Sequence, residues 1–193
     1  MLDLETVIAG YKGGYFLMAG DDGSLSWYSS QVRALIPLDE RFHISRSMKR
    51  ALAKGGHEFK IDGDFEAVVL GCMSRTETWM TEELYSIYSQ LNAAGVAHSF
   101  ECWVEGKLAG GILGLVLGSA FIGETMFSAR TGGSKMAMVG LVEHLRRQGY
   151  RLFDAQLMNP HLATFGAYEQ SNAAYLAELR SAIAADVSFL PRA

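Results

Sequence analysis

Gly123–Gln156, GETMFSARTGGSKMAMVGLVEHLRRQGYRLFDAQ, is the stretch that decides the fold. It reads as a strand ending in Glu124, a glycine-rich loop, an amphipathic helix from Ser134 to Gln148, and a second strand ending in Asp154-Ala155-Gln156. Ser134 is the expected N-cap and Gly149 the stop signal of the helix. A helical crossover makes the flanking strands parallel neighbours, so their C-terminal ends lie side by side. In open sheets, ligand sites gather at such ends. Glu124, Asp154 and Gln156 are therefore expected to meet at one place. A buried carboxylate costs several kcal/mol unless it is paired, so two of them at one sheet end call for partners or for a function.

Upstream, HSFECWVEGK, LAGGILGLVLG and SAFIGETMF form an antiparallel meander with turns at Glu105-Gly106 and Gly118-Ser119. Three helices precede it. One starts at Ser45 and stops at Gly55-Gly56, one is capped by Asp62 or Asp64 and runs towards Gly71, and one is capped by Thr81 and ends at Gly95. His57 to Ile61 is a short strand, and a last helix covers roughly Ser171 to Ala185. The fold class is α+β, a mixed sheet covered by helices. Residues 1–37 read as an irregular, aromatic N-terminal segment with a turn at Asp22-Gly23, and residues 38–193 as the main domain.

The chain has 193 residues, 49% of them apolar, and a net charge of −4, which argues against a nucleic-acid binder coated in positive charge but not against a local basic patch. Its two cysteines, Cys72 and Cys102, form neither a disulfide framework nor a zinc spacing, and a reducing cytosol is the default compartment. The opening MLDLETVIAG carries acids where an export signal carries Lys or Arg. Leu108–Phe127 is nearly uncharged, yet its glycines and the turn at Gly118-Ser119 fit two buried strands better than a membrane helix.

Asp154 and Gln156 are two apart on a strand and share a face, while Ala155 points the other way. A carboxylate beside a carboxamide can hold and polarise both an amine and an ester carbonyl, as acyl transfer to an amine requires. The alternative is a structural acid paired with Arg151 or capping a loop. Arg41–His57 contains five Lys/Arg and two His with no acid. Arg46, Lys49, Arg50 and Lys54 recur there at helical spacing, forming a phosphate-contacting face or a merely solvated one. Trp79 precedes a helix and could stack on a nucleobase, or be core. Ile112, Met126, Met138 and Leu141 are flexible apolar residues around the acids, suited to adaptable pocket walls or to ordinary core filling. Met126, two residues after Glu124, is expected on the same face. RTGGSK lacks the full phosphate-loop pattern.

Together these residues resemble the bacterial leucyl/phenylalanyl-tRNA–protein transferase family. The segments that carry the resemblance are HISRSMKR (43–50), Thr78-Trp79, HSFECW (98–103), Gly110-Gly111, GETMFS (123–128), Ser134-Lys135, and FDAQ followed by Asn159 and His161, in family order over nearly the whole chain. A cytoplasmic location is expected from the cysteine usage, and a monomer from a sequence with no coiled coil or conspicuous exposed apolar face. The resemblance implies an enzyme with an acetyltransferase-like (GNAT-like) domain. Such an enzyme moves Leu or Phe, sometimes Met, from charged tRNA to proteins beginning with Arg or Lys and marks them for degradation. It further implies Asp154 and Gln156 as the catalytic pair and Glu124 as the active-site acid. By the same match Trp79 lies near the terminal adenosine, and Ile112, Met126, Met138 and Leu141 line the side-chain pocket. Gln156 would hold the ester and the attacking amine, with Asp154 orienting Gln156 and favouring proton loss. No metal, coenzyme or covalent enzyme intermediate is called for.

The chain departs from the family in three places. It begins inside the family's usual N-terminal domain, has Phe16-Leu17-Met18 where the family has Phe-Pro-Trp, and has Glu169-Gln170-Ser171-Asn172 where the family has Glu-Ile-Pro-Arg. Two rival readings are a coenzyme-A-dependent acetyltransferase, whose pyrophosphate loop Arg130–Ser134 does not supply, and an inactive tRNA- or N-terminus-binding protein.

Overall fold

Asp3 opens the chain's first helix by accepting the Thr6 amide, in a computed structural model that describes residues 3–20, 22–74 and 78–191. This helix, α1 (Leu4–Lys12), buries Val7 and Tyr11 one turn apart. A hairpin follows, β1 (Phe16–Ala19) and β2 (Leu25–Tyr28), with Gly23 at φ +78 in its turn. Next come β3 (Val32–Leu35), α2 (Arg46–Ala53), β4 (His57–Ile61), α3 (Phe65–Met73) and α4 (Glu82–Ala93). The side chains of Ser45, Asp64 and Thr81 cap the three helices. The meander is β5 (Ala97–Val104), β6 (Lys107–Leu117) and β7 (Ala120–Ser128). After α5 (Gly133–Gln148) come β8 (Leu152–Gln156), α6 (Pro160–Ala163), β9 (Tyr168–Ser171) and α7 (Asn172–Ile183).

Seven strands form one sheet in the order β4-β5-β6-β7-β8-β3-β9. Its pairs are antiparallel except β7–β8, which the α5 crossover makes parallel. The meander, crossover and parallel pair thus stand as expected, in a mixed, mostly antiparallel α+β architecture. One face packs against α1, α3, α4 and α7 through Val7, Val69, Leu84, Leu91 and Leu179, and the other against α5 through Phe100, Phe121, Met138, Val142 and Phe153.

Residues 3–20 and 22–37 form more regular structure than their sequence suggests. β3 inserts into the main sheet between β8 and β9, with Arg33 fully buried at its centre. A four-residue strand carrying a buried arginine breaks the apolar alternation by which strands are recognised. β9, Tyr168-Glu-Gln-Ser171, is similarly polar because it is an edge strand. The expected cap of α5 also differs. Gly132, at φ +83, occupies the N-cap position without a side-chain bond, and Ser134 lies inside the helix with its amide donating to Ser128 Oγ. Close packing explains the shift, because a Cβ on Gly133 would strike the Ala109 carbonyl of β6.

Candidate active site

A bulge aims Glu124. Along β6–β7, Leu113 faces Thr125 and Gly114 faces Gly123, leaving Glu124 as the extra residue. Bulges bend a strand and re-aim side chains. Here the bulge turns Glu124 towards the α1/α4 layer, where its Oε2 accepts from Tyr88 Oη (2.6 Å) and Tyr11 Oη (2.9 Å). Its Oε1 accepts from Gln156 Nε2 at 2.9 Å. Met126 pairs with Ile112 and packs in the α5 layer on the opposite face. The expectation that Glu124 and Met126 share a face therefore fails, because the inserted residue breaks the period of two.

Glu124 is only 7% exposed. Burial raises its pKa from the ordinary 4.5 to about 7, assisted by the charge of Asp154 and opposed by the Tyr88 and Tyr11 hydrogen bonds and by Arg33. Tyr11 and Tyr88 are pushed well above the usual phenol value, first by burial and then by the Glu124 charge, so both remain hydroxyl donors.

Asp154 lies behind, fully buried. Arg33 meets it with Nε at 2.9 and 3.1 Å and Nη2 at 2.7 Å, Tyr175 Oη donates at 2.8 Å, and the Gln156 amide donates at 2.8 Å. Its cationic partner is Arg33, not Arg151. Arg33 is in turn held by the Gly14 carbonyl at 3.0 Å and sandwiched between the Phe16 and Tyr175 rings.

Glu124 and Gln156 open onto a cavity of about 750 Å³ whose lining includes Met18, Trp79, Ile112, Met126, Met138 and His161. Leu141 does not reach it; fully buried on α5, it belongs to the core. Asp154 also stays behind the wall. A second hollow of about 460 Å³ adjoins and is lined by Arg50, Lys54, His57, Arg130, Thr131 and Gly133. Ser134 lines the larger hollow and Gly133 the smaller, so the N-terminus of α5 stands between them. Arg46 and Lys49 are exposed on α2 and line neither.

Sequence reasoning missed Arg33, Tyr11, Tyr88 and Tyr175, which come from distant segments and carry no motif. Met18 and His161 at the cavity wall were signalled only by the family match. His161 has a buried Nε2 with no hydrogen-bond partner, and its pKa is lowered by burial and by Lys135. Trp27, by contrast, is half-buried and packs edge-on against Tyr11 at the margin of the core. Among the described residues no three His, Cys, Asp or Glu side chains converge to hold a metal ion, and no helix is long and apolar enough to cross a membrane.

Residues 35–180 match the family model described as leucyl/phenylalanyl-tRNA protein transferase, and residues 1–31 match the N-terminal domain of the same family. The chain is 55% identical over 168 residues to the leucyl/phenylalanyl-tRNA–protein transferase of Synechococcus sp. (strain JA-3-3Ab), covering 86% of this chain and 88% of that protein. It is 52% identical over 181 residues to the protein of that name from Gloeothece citriformis, covering 94% and 95%. Among solved structures it is similar to L-PGS from Bacillus licheniformis, at 15% identity and a TM-score of 0.49 over 93% of this chain and 70% of that one. That last overlap adds nothing to the architecture already read from the strands. The two family models and the identity to these relatives establish that the chain belongs to the leucyl/phenylalanyl-tRNA protein transferase family.

Proposed function

We infer that this protein transfers Leu or Phe, and in some settings Met, from charged tRNA to the N-terminal Arg or Lys of acceptor proteins. It does so as a cytoplasmic monomer, and the transfer marks the acceptors for degradation. The observation that carries this reading is the Gln156 carboxamide, buried against Glu124 and opening onto the large cavity. Family membership supplies the substrate classes. The meander, crossover helix and parallel strand support an acetyltransferase-like catalytic domain over residues 38–193, with β3 of the N-terminal segment completing its sheet between β8 and β9.

The reaction is aminolysis of an activated ester. The acceptor's α-amine attacks the ester carbonyl, a C–N bond forms, the C–O bond to the tRNA ribose breaks, and the leaving oxygen takes up the proton that the amine gives away. Such chemistry needs positioning and a hydrogen bond to the developing charge. Gln156 spends one N–H on Glu124, which leaves its carboxamide oxygen and second N–H for the amine and the ester. Glu124, when ionised, neutralises a cationic acceptor group beside it. Ile112, Met126 and Met138 form an apolar wall for the donor side chain, and Trp79 offers a stacking face for the terminal adenosine. The tRNA strand then passes over the loop before α5, where Arg50, Lys54 and Arg130 meet its phosphates. Arg46 and Lys49 extend that basic face.

The deciding experiment is a transfer assay with Leu- and Phe-charged tRNA and an Arg-initiated peptide. The expected result is a new peptide bond at the acceptor's N-terminus without added coenzyme. Acetyl transfer from acetyl-coenzyme A, or tRNA binding without transfer, would overturn the reading.

A further inference from the structure

We propose that Asp154 acts through the main chain: with Arg33 and Tyr175 it pins Gln156 in a strained three-residue turn, which makes Arg33 and Tyr175 positioning residues for transfer. The proposal rests on the transfer reading above and states how its central residue is held. Gln156 has φ +63, one of three non-glycine residues in the left-handed region among the described residues. The Leu157 amide reaches back to the Ala155 carbonyl at 2.8 Å, an i→i+2 bond that closes a γ-turn with Gln156 at its centre. The γ-turn with positive φ is the rare and strained form. Such a conformation persists only where its surroundings over-determine it.

Asp154 supplies that constraint. Its Oδ1 takes the Gln156 N–H at 2.8 Å, the side chain bonding its own backbone two residues on. Across the sheet the β3–β8 register slips between Ala34 and Leu35, opposite Gln156 and Asp154. The turn ends the strand there, and the Gln156 carboxamide reaches Glu124 Oε1 at the cavity. A carboxylate offers roughly four acceptor sites. Arg33, Tyr175 and the Gln156 amide fill those of Asp154, and the group is fully buried. No acceptor site is left for a substrate amine. Asp154 therefore holds the turn and does not take the proton.

The test compares Asp154→Ala, Tyr175→Phe and the double variant Arg33→Met/Asp154→Asn in single-turnover transfer over a range of pH. The double variant removes both buried charges together. It keeps an amide oxygen for the Gln156 N–H and places a thioether between the two rings. Asp154→Ala is expected to lose about 100-fold or more, the scale on which a misplaced reacting group is felt. The double variant should stay within about tenfold of wild type, with an unchanged KM for tRNA and an unchanged shape of pH profile.

A double variant as slow as Asp154→Ala, or one that loses a limb of the pH profile, overturns the proposal, because the carboxylate would then be handling the proton. Where Asp154→Ala fails to fold with Arg33 left unpaired, Tyr175→Phe replaces it. That variant should be about tenfold slower at unchanged KM, and a wild-type rate would overturn the proposal. If the wild-type protein transfers nothing, the functional reading alone fails. The pin is then read from hydrogen exchange of the Gln156 amide, protected in wild type and in the double variant and unprotected in Asp154→Ala; equal exchange in all three overturns it.

Discussion

Two clusters of buried polar side chains sit in the same sheet, and only one of them faces a cavity. On β5, Glu101 accepts from Ser99 Oγ (2.7 Å), the Asp64 amide (2.9 Å) and Trp103 Nε1 (2.7 Å). Beside it, Asp62 accepts from the Ser99 amide at 2.8 Å and contacts His98 Nδ1 at 2.6 Å, while His98 Nε2 meets the Gly95 carbonyl. That cluster closes on itself and ties β5 to the start of α3. The cluster at Glu124, Asp154 and Gln156 is buried throughout, yet Gln156 keeps unspent hydrogen-bonding capacity at a cavity wall. Buried charge alone does not mark a site. Buried polar capacity left open towards a hollow does.

The sharpest way to break this comparison is to mutate both clusters. Gln156→Ala should lower transfer by about 100-fold or more while leaving thermal stability close to wild type, because one preorganised hydrogen-bonding group is typically worth that much. Glu101→Ala should do the reverse. It strips partners from three donors and should cost about 3 kcal/mol of stability, with the transfer rate of the folded fraction unchanged. Single-turnover rates and thermal melts on the same samples decide. A rate loss from Glu101→Ala would erase the distinction between the clusters.

Next in size is the pH dependence of Glu124. Its pKa is raised on folding from 4.5 to about 7, so the folded state binds the proton more tightly across that window. Its contribution to stability is present in full below about pH 4.5 and lost as pH rises towards 7. At about 1.4 kcal/mol per pKa unit the loss is at most about 3–4 kcal/mol. Glu124→Gln should remove that decline, so the difference between variant and wild type grows in the variant's favour from acid to neutral pH. Melting curves of both proteins across this range are the check, and parallel curves would mean that Glu124 is ionised throughout.

The comparison also explains what the sequence could and could not disclose. The donors to Glu101 sit at positions 64, 99 and 103, on neighbouring turns and strands, while the helix caps Ser45, Asp64 and Thr81 are local signals that the structure bears out. The convergence of Glu124, Asp154 and Gln156 was legible too, because a crossover helix fixes the strand ends. Their partners were not. Tyr11, Arg33, Tyr88 and Tyr175 lie far from the acids in sequence and meet them only when the whole fold has assembled. The bulge at Glu124 was equally hidden, since glycines on both strands permit the slip without announcing it. Leu141 differs for another reason: the family match grouped it with Met138, but of these two α5 residues only Met138 lines the cavity while Leu141 is fully buried in the core.

That contrast between Met138 and Leu141 can itself be measured. Enlarging Met126 or Met138 to Trp should reduce Phe transfer more than Leu transfer, by roughly 1–3 kcal/mol, since pocket discrimination of one or two methylenes is graded. Leu141→Ala should instead lower stability by about 2–5 kcal/mol with the Phe:Leu ratio held. Competition between the two charged tRNAs reads the ratio. A shifted ratio in Leu141→Ala would return that residue to the pocket, and efficient use of Val- or Ile-charged tRNA would count against these walls altogether.

The smallest effect concerns the basic face beside the second hollow. Met18 lines the cavity at the position where the resemblance implies a tryptophan, and the expected consequence is the loss of one stacking interaction worth about 1–3 kcal/mol. Binding should lean correspondingly harder on the tRNA phosphates. Arg50 and Lys54 line the second hollow, and Arg46 and Lys49 are exposed on the same helix. Removing one cation that neutralises a phosphate flattens the log–log salt dependence by somewhat less than about one unit. Lys49→Ala with Arg50→Ala should therefore weaken tRNA binding regardless of tRNA sequence, flatten the slope by about one to two units, and leave transfer from a small aminoacyl-adenosine donor nearly unchanged. A salt titration of tRNA affinity for wild type and double variant is the measurement. An unchanged slope would make this helix face merely solvated and move the phosphate path elsewhere. Arg146 is already bonded to the Leu38 and Asp39 carbonyls, so Arg147 and Arg151 would be the next pair to test.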